Sequence, residues 1–136
     1  MGLMLDTNVF IFSERSGTPI DFSQWKEHGD VYMSSITVSE LLVGVHYAHN
    51  EAKRARRSAF VEFILGKVPV LAFDREVARI HACLFMALAK KGQMIGTHDL
   101  IIAATALFHN CAVLTDNTDE FERVAGLDIL SYIKPS

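Results

Sequence analysis

Apolar positions in this chain fall into short blocks that switch between continuous runs and helical spacing. Leu3–Leu5 is an apolar run that stops at Asp6, as a buried strand does. Asn8–Ser13 reads as a short apolar helix. Gly17–Pro19 is a breaker, with Pro19 placed to restart a helix through about His28. Gly29–Asp30 predicts a turn and Val31–Met33 a second strand. Thr37 and Glu40 match a capping box at the head of the apolar helix Leu41–Ala48. A further helix runs from Asn50 or Glu51 to about Leu65, with Gly66 as its stop. Val68–Phe73 predicts a third strand, and Pro69 puts its start or an edge there.

The second half continues the alternation. Asp74 caps a helix to about Lys91, and Val77, Ile80, His81, Leu84 and Leu88 share one stripe. Lys90 and Lys91 sit at its negative end and Gly92 ends it. After a loop over Gln93–Thr97, Asp99–Phe108 is apolar almost all round, which predicts a deeply buried helix stopped by Asn110. Ala112–Thr115 is a buried strand. Asp116–Glu120 is a polar turn opening a short helix through Val124, and Asp128–Tyr132 a last short strand. Strands alternating with helices predict an α/β fold: a central, mainly parallel β-sheet flanked by α-helices in three layers.

Length and composition narrow this picture. A chain of 136 residues fits a single domain over 1–136. Half its residues are apolar and 21% are charged, as in ordinary soluble globular proteins. The net charge of −3 argues against a broadly basic nucleic-acid binder but leaves room for a local basic strip. Lys53, Arg54, Arg56 and Arg57 form the one dense basic cluster; it is either a phosphate clamp or a solvated helix face. Cys83 and Cys111 form neither a CxxC pair nor a zinc spacing and read as reduced, buried residues. No membrane span, signal peptide or myristoylation pattern is present, so the expected location is the cytoplasm.

The candidate chemistry is acidic. Asp6 follows the first strand, Glu40 opens the helix after the second, and Asp99 opens the buried helix; Asp116 follows the fourth strand. In a parallel sheet such junctions gather at one edge. Each residue also has an ordinary structural use: Asp6 as a helix cap, Glu40 in its capping box, Asp99 against a helix dipole. Carboxylates that converge raise one another's pKa unless a cation neutralises them, and oxygen-only ligands suit Mg²⁺ or Mn²⁺. Thr7, Ser39 and Thr115 are placed to orient carboxylates or to form caps and turns. His81 reads as a core residue, and His98 as a helix-start residue that could touch substrate. No Ser–His–Asp or Cys–His nucleophile is identifiable, and no GxGxxG or GxxxxGK[ST] follows a strand. An aspartyl-nucleophile phosphatase would want a second Asp two residues after Asp6, where Asn8 stands.

Four stretches, in order, carry a family likeness: MLDTNVFI, SSITVSELLVG, IGTHDLIIAATAL and LTDNTDEF. Together they resemble the PIN-domain ribonucleases, and among these the VapC toxins of VapBC toxin–antitoxin modules. The resemblance spans essentially the whole chain. It implies a PIN fold, a Mg²⁺- or Mn²⁺-dependent endoribonuclease (a transfer RNA being one candidate substrate), a homodimer, and inhibition by a VapB antitoxin. It places the family's acidic positions on Asp6, Glu40 and Asp99, as metal ligands or, for Glu40, a ligand or water-positioning base. The fourth position falls on Asn117, flanked by Asp116 and Glu120, so Asp116 and Asn117 both remain candidates. A PIN-like module that binds protein or RNA without catalysis is the alternative.

Overall fold

The computed structural model describes residues 1–132. Its elements in chain order are β1 (Gly2–Leu5), α1 (Thr7–Ser16), a 3-10 helix (Phe22–His28), β2 (Asp30–Ser34), α2 (Ser35–Tyr47), α3 (Glu51–Lys67) and β3 (Val70–Leu71). Then follow α4 (Arg75–Lys91), α5 (Thr97–Phe108), β4 (Cys111–Thr115), α6 (Thr118–Phe121) and β5 (Ile129–Ser131). The strands form one five-stranded sheet in the order β3-β2-β1-β4-β5. Every pairing is parallel, with Met4 beside Tyr32 on one side and beside Val113 on the other. All five carboxyl ends therefore lie along one edge. From β1 the chain first builds outward through β2 and β3, then returns to add β4 on β1's other side. The β1–β4 boundary is thus the switch point, where open α/β sheets form a crevice.

Two apolar layers sandwich this sheet. Leu3 and Leu5 point to one face, where they join Val9 and Phe10 of α1, Leu41 and Val45 of α2, and Val61 and Ile64 of α3. Met4 points to the other, against Leu88 of α4 and Leu100, Ile102, Ala103 and Ala106 of α5. The alternation of β1 across both cores explains why its run is apolar without a break: a central parallel strand has no wet face. The small residues of α5 serve the same end. Ala103, Ala104, Thr105 and Ala106 are fully buried, so the helix lies close on the sheet.

Several boundaries differ from the sequence pattern for local reasons. Helix α2 starts at Ser35 because the Ser34 hydroxyl caps it, accepting from the Ile36 N–H at 3.2 Å. Thr37 and Glu40 therefore form no capping box, and Glu40 sits in the second turn. Helix α3 runs through Gly66 to Lys67, and the Val68 N–H closes on the Ile64 carbonyl. The third strand shrinks to Val70–Leu71 on the sheet edge, since Pro69 offers only its carbonyl, taken by the Met33 N–H. The segment before β2 is a 3-10 helix capped by Asp21, rather than an α-helix from Pro19. Gly92, at φ 64°, ends α4 as expected.

Two single-residue expectations also shift. His81 is not a core residue; it lies half-buried between the exposed rings of Phe73 and Phe85. Both cysteines are free, but Cys83 is exposed and only Cys111 is buried. The basic cluster has partly structural work. Arg57 donates to the Gly44 carbonyl at 2.9 Å and Arg54 to the Ala48 carbonyl at 3.1 Å. These satisfy carbonyls at the end of α2 that have no helical partner and tie α2 to α3. Lys53 and Arg56 stay exposed.

Candidate active site

The switch point collects the acidic residues. The Asp6 N–H still belongs to the sheet, bonded to the Leu114 carbonyl at 3.0 Å. Its side chain then does two things at once. Oδ1 accepts from the Thr7 N–H at 2.8 Å and caps α1, while Oδ2 accepts from the Thr115 hydroxyl of β4 at 2.8 Å. Thr115 is held in turn by the Asn117 N–H at 2.9 Å. The cap and the site are therefore the same carboxylate, fixed across β1 and β4. Asp6 is only 4% exposed. Burial raises its pKa above the ordinary aspartate value, against the two hydrogen bonds, and the charges of Asp116 and Glu40 push the same way as burial.

Glu40 reaches the cluster from α2. Its Oε1 accepts from the Thr7 hydroxyl at 2.6 Å, and the Thr37 hydroxyl lies 3.1 Å from Thr7 Oγ1. Thr37, buried one turn before Glu40, thus supports this contact, whereas Ser39 faces solvent. On the other oxygen, His98 Nδ1 stands 3.3 Å from Glu40 Oε2.

Asp99 sits in the first turn of α5. Burial is the main reason its pKa is pushed up to about 7, and the charges of Asp6, Glu120 and Glu40 add to it. A hydrogen bond with Glu120 puts the shared proton on Asp99. Glu120 shifts the other way, held low chiefly by the Gly96 N–H and also by the Asn117 amide at 2.8 Å. Glu120 entered the sequence pattern only as a flank of Asn117. The signal that could have found it is the three-residue spacing of Asn117 and Glu120, which sets the two side by side at the start of α6. Of the earlier candidates, Glu40 and Asp116 raise the Asp6 pKa by their charge, and Asp6 and Glu40 raise that of Asp99. Asp116 is exposed at the rim, 3.4 Å from the Asn8 amide, and Asn117 holds Glu120.

Gly96 is needed here for space. Its backbone, at φ −56° and ψ 147°, is open to any residue. A methyl group there would stand 3.2 Å from Glu120 Oε1 and 3.3 Å from Asp99 Oδ2. Gly96→Ala should therefore displace both carboxylates with little change in melting temperature. We expect affinity for Mn²⁺, read by titration calorimetry, to fall about tenfold, as when a ligand loses its outer support. An unchanged affinity would show that the two carboxylates have slack.

Among the described residues no three His, Cys, Asp or Glu side chains already surround one point at coordinating positions. The donor chemistry nevertheless suits a hard divalent cation. Every acid in the cluster offers oxygen, two of them have raised pKa values, and the basic groups acting on cluster acids among the described residues are His98 beside Glu40 and Arg123 near Glu120. A cation among these carboxylates would offset the repulsion that adds to burial in raising the Asp99 pKa.

A parallel sheet with acids gathered at its switch point defines an α/β protein with an acid cluster at its crevice. The PIN domain profile matches residues 3–127, and the chain belongs to the PIN-domain family. Its relatives within that family are VapC ribonucleases. It is 39% identical over 131 residues to Ribonuclease VapC1 of Rickettsia felis, covering 96% of each chain. It is 32% identical over 125 residues to the tRNA(fMet)-specific endonuclease VapC of Shigella flexneri, covering 91% of this chain and 92% of that one. Among solved structures, it matches a chain of DNA-bound VapBC from Salmonella typhimurium with a TM-score of 0.85 and 30% identity. That match covers 98% of this chain and 99% of the other. The five-stranded parallel sheet and its flanking helices are thus the PIN fold.

Proposed function

We propose that this chain is a single-domain endoribonuclease toxin that hydrolyses RNA phosphodiester bonds with the help of Mg²⁺ or Mn²⁺. The observation that carries the reading is the meeting of Asp6, Glu40, Asp99 and Glu120 at the β1–β4 switch point, with Asp6 and Asp99 held above their ordinary pKa. Membership among the VapC ribonucleases supports the substrate class, and the Shigella relative's name supports a transfer RNA within it. VapBC complexes among the structural relatives support a VapB-type antitoxin as the inhibitor. A homodimer and a cytoplasmic location complete the proposal. No helix among the described residues is long and apolar enough to cross a membrane.

Asp6 and Asp99 would hold the cation, with Glu40 beside it as the base and Glu120 completing the ring of acids. Bound there, the cation would supply the positive charge that a cleaving phosphodiester needs as its oxygens gain negative charge. The protein's own groups do the rest. Thr115 and the Thr7 N–H fix both oxygens of Asp6, so its carboxylate needs no reorganisation. Glu40, steadied by Thr7, orients the attacking water and takes its proton. Asp99, whose pKa stands at about 7, would be ionised when it holds the cation. The water oxygen bonds to phosphorus, the bond from phosphorus to the 3′ oxygen breaks, and that oxygen takes a proton from solvent. The phosphate stays on the downstream fragment.

The products should carry 5′-phosphate and 3′-hydroxyl ends, checked by sequencing RNA ends after incubation with and without Mg²⁺. Fragments ending in 2′,3′-cyclic phosphate would overturn this mechanism, because they come from attack by the ribose and not by water.

A further inference from the structure

Glu40 is gripped from two sides, by a buried threonine on one oxygen and a half-exposed histidine on the other. Thr7, buried between α1 and α2, donates to Oε1. His98, the second residue of α5, stands 3.3 Å from Oε2 through Nδ1, and its side chain is 52% exposed. The imidazole thus lies at the mouth of the cluster, with most of the ring in solvent and one nitrogen against a site carboxylate. It adjoins Asp99 in sequence, so the same first turn of α5 supplies one acid and the support of another. A half-exposed ring adds little to the core, which leaves its contact with Glu40 as what the ring does here.

We propose that His98 is a positioning residue for the ribonuclease reaction: the Nδ1–H of its imidazole holds Glu40 Oε2, so that the carboxylate is clamped between Thr7 and His98. The inference rests on the endoribonuclease reading of the cluster. A carboxylate fixed at one oxygen still swings about that contact; a second donor on the other oxygen fixes its plane. The orientation matters because Glu40 aims a water at phosphorus, and small misplacements of such a group are costly. Holding Nδ1–H against Glu40 also selects the tautomer of the ring, as carboxylate partners of histidine do elsewhere.

Two measurements test this. The first is kinetic. His98→Ala should lower kcat about tenfold, as loss of an outer-shell partner does, with KM for RNA within about twofold of wild type. His98→Asn places an amide donor where Nδ1 was and should recover most of the rate, while His98→Gln, whose amide sits nearer the Nε2 position, should not. An unchanged kcat in His98→Ala, or a raised KM alone, would overturn the proposal; the second result would make His98 a substrate contact. The other measurement needs no cleavage. Nitrogen NMR of the imidazole at pH 8 should show His98 in the Nδ1–H tautomer, and Glu40→Gln should release it to a mixture. A wild-type ring already in the Nε2–H form would overturn the contact. A protein that fails to cut RNA yet shows the Nδ1–H tautomer would sink the ribonuclease reading while leaving the clamp in place.

Discussion

Asp6→Asn should cut RNA cleavage by more than about 100-fold, beyond what the loss of an outer-shell partner costs, and do so without loosening the fold. Two properties of Asp6 lead to this result. The carboxylate is the most buried acid of the cluster and both its oxygens are fixed by hydrogen bonds, so its charge is already in place for a cation. Asparagine keeps the shape. Its carbonyl can still accept from the Thr7 N–H, and the Thr115 hydroxyl can turn to accept from the amide. Because burial and neighbouring acids raise the Asp6 pKa, ionised Asp6 costs the metal-free fold stability at neutral pH. The variant should therefore melt at the same temperature as wild type or higher when no metal is present. The stabilisation that Mg²⁺ gives wild type by binding only the folded state should vanish. Melting curves with and without Mg²⁺, beside a cleavage assay, read both effects. Mg²⁺-dependent cleavage that survives in Asp6→Asn would remove Asp6 from the site.

Stripping divalent cations with a chelator should abolish cleavage, and adding back Mg²⁺ or Mn²⁺ should restore it. The pH dependence then has a definite direction. In the metal-free fold Asp99 titrates at about 7, whereas an unfolded aspartate titrates near its ordinary value of 3.8. Between those values the folded chain holds a proton that the unfolded chain has lost. Stability is therefore greatest below the lower value, declines as pH rises toward 7, and levels off beyond it. Asp6, also raised, adds to the decline. Glu120, lowered by the Gly96 N–H, works in the opposite sense, but only at lower pH, where glutamates protonate. A cation must displace the Asp99 proton, so Mg²⁺ should bind more tightly as pH rises through 7, with proton release visible in calorimetry across buffers. A metal-free stability that stays flat from about pH 4 to 7 would contradict the shared Asp99–Glu120 proton.

The frame of the fold is legible in the residues because β1 and α5 can do nothing else. Leu3–Leu5 has no polar side, and α5 is small or apolar on nearly every face, so both must be central. Once they are central, Asp6 and Asp99 are carried to the carboxyl edge by topology alone. What could not be read was decided by competition between neighbours. Thr37 and Glu40 look like a capping box, but Ser34 caps first, and that frees Glu40 for Thr7. Arg54 and Arg57 look like a phosphate clamp, but unsatisfied carbonyls of α2 lie within their reach. At the fourth corner, Asn117 matches a pattern, yet the charge comes from Glu120, because the short α6 turns that side chain back onto Gly96 and Asp99.

The bond from Thr115 to Asp6 joins residues 109 positions apart. The first strand is made well before its second neighbour, β4. Until β4 emerges from the ribosome, β1 has one open edge, Asp6 lacks its threonine, and Glu120 does not yet exist. The order of synthesis thus withholds the active site from the nascent chain. A chain built this way assembles its acid cluster only when β4 has paired with the first strand.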